Sequence, residues 1–216
     1  MKRFFNLFSV CVLLLGLTGV ANAYSIDYTY TASGNQFTSP YAATVETFDG
    51  NALLWTWTGS GNVVSGDLLN KYSAPGGIDG TNKDITKYMT VPEPTGANTG
   101  AMLVTNLGGS YNYLGLWWGS VDTYNTLTFY NGATEVASIT GSSITKSADG
   151  NQTAPSSNLY VNFLYLPLFD SFKMASTNFA FEADNIAIAR VPEPTTLLLF
   201  GLGLIGLAVA RRKYKK

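Results

Sequence analysis

Between residues 24 and 190, short runs rich in Thr, Val, Tyr, Phe and Trp alternate with clusters of Gly, Asn, Ser and Asp. Runs of the first kind suit a pleated, half-buried backbone, and the clusters suit turns. The pattern predicts strands at residues 25–31, 44–48, 53–58, 84–90, 102–106, 113–118, 126–130, 135–140, 159–164, 171–175 and 179–189. No stretch in this region carries the 3.6-residue apolar period of an amphipathic helix. The clearest local signal is a hairpin, residues 127–130 and 133–139 joined by Asn131-Gly132, because Asn-Gly accepts the positive φ angles of a tight turn. Many short strands with turns at this spacing predict an all-β fold, an antiparallel two-sheet sandwich. Residues 142–157 are polar throughout and read as a long loop or a lid over a sheet edge.

Both ends depart from this pattern. Lys2 and Arg3 precede an apolar stretch at residues 4–20, followed by Ala21-Asn22-Ala23. That is a signal helix whose small residues Ala21 and Ala23 form the site for signal peptidase, so the mature chain begins near Tyr24. Cys11 lies inside the apolar stretch rather than after it, which excludes a lipoprotein signal.

At the other end residues 197–210 carry no charge. As a helix they reach only about 21 Å against a hydrocarbon core of roughly 30 Å. Counting everything between Glu193 and Arg211 extends the helix to about 26 Å, the lower edge of the spanning range. Its larger apolar side chains favour insertion by about 3–5 kcal/mol in sum, a marginal anchor. Arg211, Arg212, Lys213, Lys215 and Lys216 come directly after it, and such a cluster stays in the cytoplasm. The body of the chain therefore lies outside the inner membrane.

Pro192-Glu193-Pro194, the apolar block and the basic block stand in a fixed order, and the tail resembles the PEP-CTERM sorting signal of Gram-negative bacteria. The resemblance implies that an exosortase recognises Pro192, Glu193 and Pro194 and removes the apolar and basic blocks, with Arg211 to Lys216 as the retention signal. Val91-Pro92-Glu93-Pro94 repeats the tetrapeptide in mid-chain, but there it leads into polar loop, so the order of the blocks is the signal. The expected organisation is a signal peptide at 1–23, a secreted domain at 24–190 and a sorting segment at 191–216, with a transmembrane helix at 195–210. Residues 113–189 also resemble a group of exosortase-dependent surface proteins, through Gly115-Leu-Trp-Trp-Gly-Ser-Val-Asp122, Asn125-Thr-Leu-Thr-Phe-Tyr-Asn-Gly132, Tyr160-Val-Asn-Phe163 and Phe179-Ala-Phe-Glu-Ala-Asp-Asn-Ile186. That resemblance implies a jelly-roll-like sandwich.

Charge sharpens the picture. The whole chain has a formal charge of −1, but residues 24–190 hold six basic and thirteen acidic side chains, a net −7. An acidic body between basic ends argues against nucleic acid or an anionic membrane surface as partner. The inner membrane is then a transient contact of the precursor. Exosortase systems accompany exopolysaccharide production, so the resemblance implies exopolysaccharide as the surface partner.

The chain has no His, and Cys11 leaves with the signal peptide. This removes Ser-His-Asp and Cys-His catalysis and every His- or Cys-ligated metal site. Carboxylate chemistry remains, with Asp122, Asp170, Glu182 and Asp184 as candidates for a glycosidase pair. No organic cofactor is implied. Calcium is the metal that oxygen ligands alone would hold, at Glu182 and Asp184 on one face of the last strand, with Asp27 or Asp49 joining. Trp117 and Trp118 are adjacent and so point to opposite faces of their strand, one into the core and one outward. An outward ring there, with Tyr113 or the nearby Tyr111 and Tyr124, would make a platform for stacking sugars. The expectation is a noncatalytic surface domain, and the alternative is a carbohydrate-active hydrolase using carboxylates only.

Overall fold

Residues 113–119 show how the sandwich is assembled. Leu114, Leu116 and Trp118 turn into the main core, as period-two geometry requires, while Tyr113 and Trp117 turn to the opposite face. Yet all seven residues are buried. The second face of this sheet is therefore covered as well.

The computed structural model describes residues 24–29, 32–33, 36–37, 39–41, 43–76 and 82–192, with positions 202–204, 207 and 211 beyond. The strands are β1 (Ser25–Thr29), β2 (Ala32–Ser33), β3 (Gln36–Phe37), β4 (Thr44–Glu46), β5 (Thr56–Gly59), β6 (Asn62–Ser65) and β7 (Lys87–Val91). They continue as β8 (Gly100–Thr105), β9 (Tyr113–Gly119), β10 (Asn125–Asn131), β11 (Thr134–Thr140), β12 (Leu159–Leu164), β13 (Ser171–Ser176) and β14 (Phe181–Ala189). One helical turn, α1 (Gly141–Ile144), and a 3-10 turn at Pro155–Ser157 lie in the segment expected to be a loop.

Seven strands form one sheet in the order β1-β12-β9-β14-β7-β6, with β4 also paired to β14. Five form the other, β11-β10-β13-β8-β5, and every pairing between these strands is antiparallel. The architecture is the expected jelly-roll-like β-sandwich. Between the sheets, Leu116, Trp118, Phe163, Phe181 and Ile186 pack with Leu127, Phe129, Phe172, Met174 and Val104. Trp118 and Phe181 stack with ring centroids 4.2 Å apart and planes at 9°, an aromatic contact worth roughly 0.5–1.5 kcal/mol beyond its burial.

The hairpin forms as predicted, with its turn one residue later. Asn131 pairs with Thr134, so the turn residues are Gly132 and Ala133, and Gly132 takes φ +57°. A slip between Phe129 and Tyr130 absorbs the shift.

The chain itself covers the outer face of the seven-stranded sheet. Residues 66–76 and 82–86 cross it, held by the Tyr88 hydroxyl donating to the Gly66 carbonyl at 2.6 Å and the Asp84 N–H donating to the Pro75 carbonyl at 2.8 Å. A side chain at Gly119 would come within 2.9 Å of the Pro75 Cα, so this close approach requires glycine. Further along the same face Tyr41 packs on Tyr113 with centroids 4.7 Å apart.

β14 changes neighbour halfway. It pairs with β7 from Phe181 to Ala183 and with β4 from Ile186 to Ile188, while its pairing to β9 slips one residue between Asp184 and Ala187. Asn185 sits in this bulge at φ +48°, a left-handed backbone that Asn tolerates better than most residues.

Candidate functional site

The candidate aromatic platform does not form at Trp117, Trp118 and Tyr113. Trp117, Trp118 and Tyr113 are each 0% exposed. Trp118 is the one of the pair that faces the core, and Trp117 lies beneath the crossing segment and donates its indole N–H to the Gly76 carbonyl at 3.1 Å. The Tyr113 hydroxyl donates to Asn162 Oδ1 at 2.7 Å and lies 2.7 Å from Ser39 Oγ. These rings are structural.

A polar cleft of about 330 Å³ opens instead where the β9–β10 and β13–β14 connections meet the turn at Asn70, Lys71 and Tyr72 and the loop from Asp149 to Gln152. Two buried acids face it, Asp122 and Glu182. The ladder brings them together, because Glu182 pairs with Gly119, three residues before Asp122.

Side-chain amides set the walls. Asn125 Oδ1 accepts the Asp122 N–H at 3.0 Å, and its Nδ2 donates to Ser176 Oγ at 3.0 Å and to the Ala180 carbonyl at 3.1 Å. Asn158 Oδ1 accepts the N–H groups of Gly76 at 2.8 Å and Ser120 at 3.0 Å, while its Nδ2 donates to the carbonyls of Asn151 and Ala154. Four chain segments are thus tied through two buried Asn residues, a network stiff because every member is satisfied. The polar stretch 142–157 is one wall of the cleft: Ser157 Oγ lies 2.9 Å from Asp149 Oδ1, and Asp122 and Asp149 form a backbone bridge.

Burial raises the Asp122 carboxyl to about 6, opposed by Tyr124 and reinforced by the charge of Asp149. The Tyr124 hydroxyl has one proton, which it gives to the Phe179 carbonyl at 2.7 Å. Burial lifts Glu182 further, to about 8, although its oxygens accept from the Ser120 hydroxyl at 2.7 Å and the Ser73 N–H at 3.0 Å. At the mouth Lys71 Nζ sits 3.9 Å over the Phe179 ring. The cleft offers carboxyl, amide, hydroxyl and ammonium groups, the inventory that hydrogen-bonds sugar hydroxyls.

The other candidates lie elsewhere. Asp170 is at the far end of β10, where its Oδ2 accepts the Gly132 N–H at 2.9 Å and caps the hairpin turn. Asp27 is exposed on β1, with two strands between it and β14. Glu182 and Asp184 share a strand face but serve different surroundings: Glu182 faces the cleft, while Asp184 faces Asp84 and, more remotely, Asp49. Lys71 carried no signal in the sequence beyond that of a turn residue, and Asp84 was counted in the strand expected at 84–90, which begins instead at Lys87.

The sorting segment begins at the other end of the sandwich. Asn112 grips Val191 on both sides, its Nδ2 donating to the Val191 carbonyl at 2.8 Å and its Oδ1 accepting the Val191 N–H at 2.7 Å. Pro192 is exposed immediately after this grip. Glu193, Pro194, Arg212, Lys213, Lys215 and Lys216 lie outside the described residues, as do Ala21, Ala23 and the signal helix; Arg211 is described as helical. Among the described residues no helix is long and apolar enough to cross a membrane. The internal repeat is locked into the domain: Val91 ends β7 and is 0% exposed, and Pro92 is buried.

Comparison with known proteins places the tail. Residues 190–213 match the PEP-CTERM protein-sorting motif. No curated protein matches the chain. Among solved structures, the chain is similar to the K2 cleaved adhesin domain of Lys-gingipain (Kgp), at 13% identity and a TM-score of 0.35, over 69% of this chain and 99% of that one.

Proposed function

We propose that this chain, an exported surface protein sorted by its PEP-CTERM motif, presents a noncatalytic β-sandwich whose Asp122–Glu182 cleft binds a hydroxyl-rich polysaccharide of the cell's own envelope or matrix. One observation carries the reading: four chain segments converge on a polar cleft that holds two buried acids beside Lys71, Tyr72 and Asn178. Such a site selects ligands through hydrogen bonds to the polar groups that line it, Lys71, Tyr72 and Asn178 among them. Signal peptidase and exosortase are the processing partners in this reading, and exopolysaccharide is the resident one.

The test is titration of the chain with exopolysaccharide purified from the producing cells. Binding should be saturable and weakened at least tenfold by Asp122→Asn or Lys71→Ala. Equal affinity of wild type and both variants would remove the cleft from the reading.

A second reading, a hydrolase using carboxylates only, is favoured by the same two acids facing one cavity. Reducing-end release from the bound polysaccharide, abolished by Glu182→Gln while binding persists, would select it over the first.

A further inference from the structure

Asp184 occupies the point where β14 leaves β7 for β4, one residue before the bulge at Asn185. It is 0% exposed, and neither of its carboxyl oxygens takes part in a hydrogen bond of regular geometry. Asp84, 3% exposed, faces it from the crossing segment. One Asp84 oxygen accepts the Thr86 N–H at 2.8 Å and hydroxyl at 2.6 Å, but its Oδ2 is buried without a partner.

Two other buried carboxylates, Glu46 and Glu182, set the contrast. Glu46 accepts the N–H groups of Phe48 at 2.9 Å and Leu54 at 2.6 Å, one on each oxygen. Both oxygens of Glu182 are likewise occupied, by Ser73 and Ser120. Lys83, adjacent to Asp84 in sequence, is turned away to Asp67 at 2.9 Å and Ser73 at 2.7 Å. Apart from the Asn185 N–H, which bears on the Asp184 carboxyl, and the contact of the two carboxyls with each other, three oxygens of two facing acids lack a donor of regular geometry in a place closed to solvent. Buried polar groups in folded proteins are almost always satisfied, so the exception points to something that belongs between them.

We propose that Asp84 and Asp184 bind a divalent cation of the calcium class, which fastens the crossing segment to β14 at its bulge. The donors are hard oxygens, and a chain without His gives no nitrogen ligand of that type. Calcium accepts irregular coordination completed by backbone carbonyls and water, whereas magnesium demands a near-ideal octahedron. Among the described residues no three acidic, His or Cys side chains converge, so the remaining positions fall to such neutral oxygens. A site with two carboxylates belongs with the weak calcium sites of extracellular modules, with affinities of roughly 10⁻⁴ to 10⁻³ M. An exported domain meets calcium at those levels.

The experiment uses the full chain purified in detergent. Equilibrium dialysis against ⁴⁵Ca²⁺ should find one ion per chain, and calcium at about 100 times the Kd should raise Tm by roughly 5–10 °C over chelator. Asp184→Asn and Asp84→Asn should each abolish both effects, while Glu182→Gln should keep them. Absence of bound calcium in the wild type, with equal Tm in calcium and chelator, would overturn the site and leave two acids sharing a proton. Terbium luminescence on the wild type, sensitised by the buried Tyr88 and Trp117 nearby, decides the matter even where a variant fails to fold: no sensitised emission counts against the site.

Discussion

The Trp117 indole N–H donates to the Gly76 carbonyl across the outer face of the seven-stranded sheet at 3.1 Å. A residue that alternation turned away from the core becomes the peg on which a separate stretch of chain hangs. Trp117→Phe should leave a buried carbonyl unpaired and cost about 1–3 kcal/mol in urea denaturation, with faster proteolysis within residues 66–86 than elsewhere. Uniform protection across the chain would mean the peg is idle.

Gly115 faces the same covered side. A methyl group there would overlap the Tyr113 hydroxyl and come within 2.9 Å of the Tyr160 hydroxyl. Gly115→Ala should therefore destabilise the domain by roughly 1–3 kcal/mol through overpacking, read as a lower urea midpoint at unchanged slope. A neutral result would show that both tyrosines swing aside freely.

Asp122 gives the domain an acid-side signature. Its carboxyl titrates near 6 in the folded chain against an ordinary 3.8, so the folded state holds a proton that the unfolded state has lost within that window. This contribution to stability is full below about pH 4 and disappears as pH rises through about 6. Asp122→Asn should flatten that part of the stability profile, as followed by urea midpoints from pH 4 to 7. A profile unchanged by the substitution would place the proton elsewhere.

The two Pro-Glu-Pro triplets should behave differently. Replacing Pro192, Glu193 and Pro194 with alanine should leave an uncleaved precursor in the inner membrane fraction. The same change at Pro92, Glu93 and Pro94 should lower stability, because Pro92 is buried beside β7, yet leave processing of the folded fraction intact. Immunoblots of membrane and released fractions distinguish them, and equal retention would mean that the tail's three-block order is not what is read.

Much of the fold was legible because strands such as β9, β10 and β14 are long, β-branched or aromatic, and bounded by turn residues. β6 escaped prediction: four residues between two glycines are too short to show a period. The opposite orientation of Trp117 and Trp118 followed from period two, but the burial of both did not. The second face is covered by a segment some forty residues away in sequence, and no local pattern encodes it. The same holds for the cleft. Asp122 and Glu182 were both visible as carboxylates, but their meeting depends on the β9–β14 register, and Asp84 read as the start of a strand until the fold placed it in the crossing segment, facing Asp184.

β14 is the last strand of the sandwich and also an inner one, flanked by β9 on one side and by β7 and β4 on the other. In an exported chain that emerges amino end first, the sheet waits for its keystone: the seam between β9 and β7 stays open until residues 181–189 have crossed. The last strand and the sorting triplet are separated only by Arg190 and Val191, about 7 Å of extended chain. The triplet that the sorting enzyme reads thus begins with no spacer between it and the folded domain beyond those two residues.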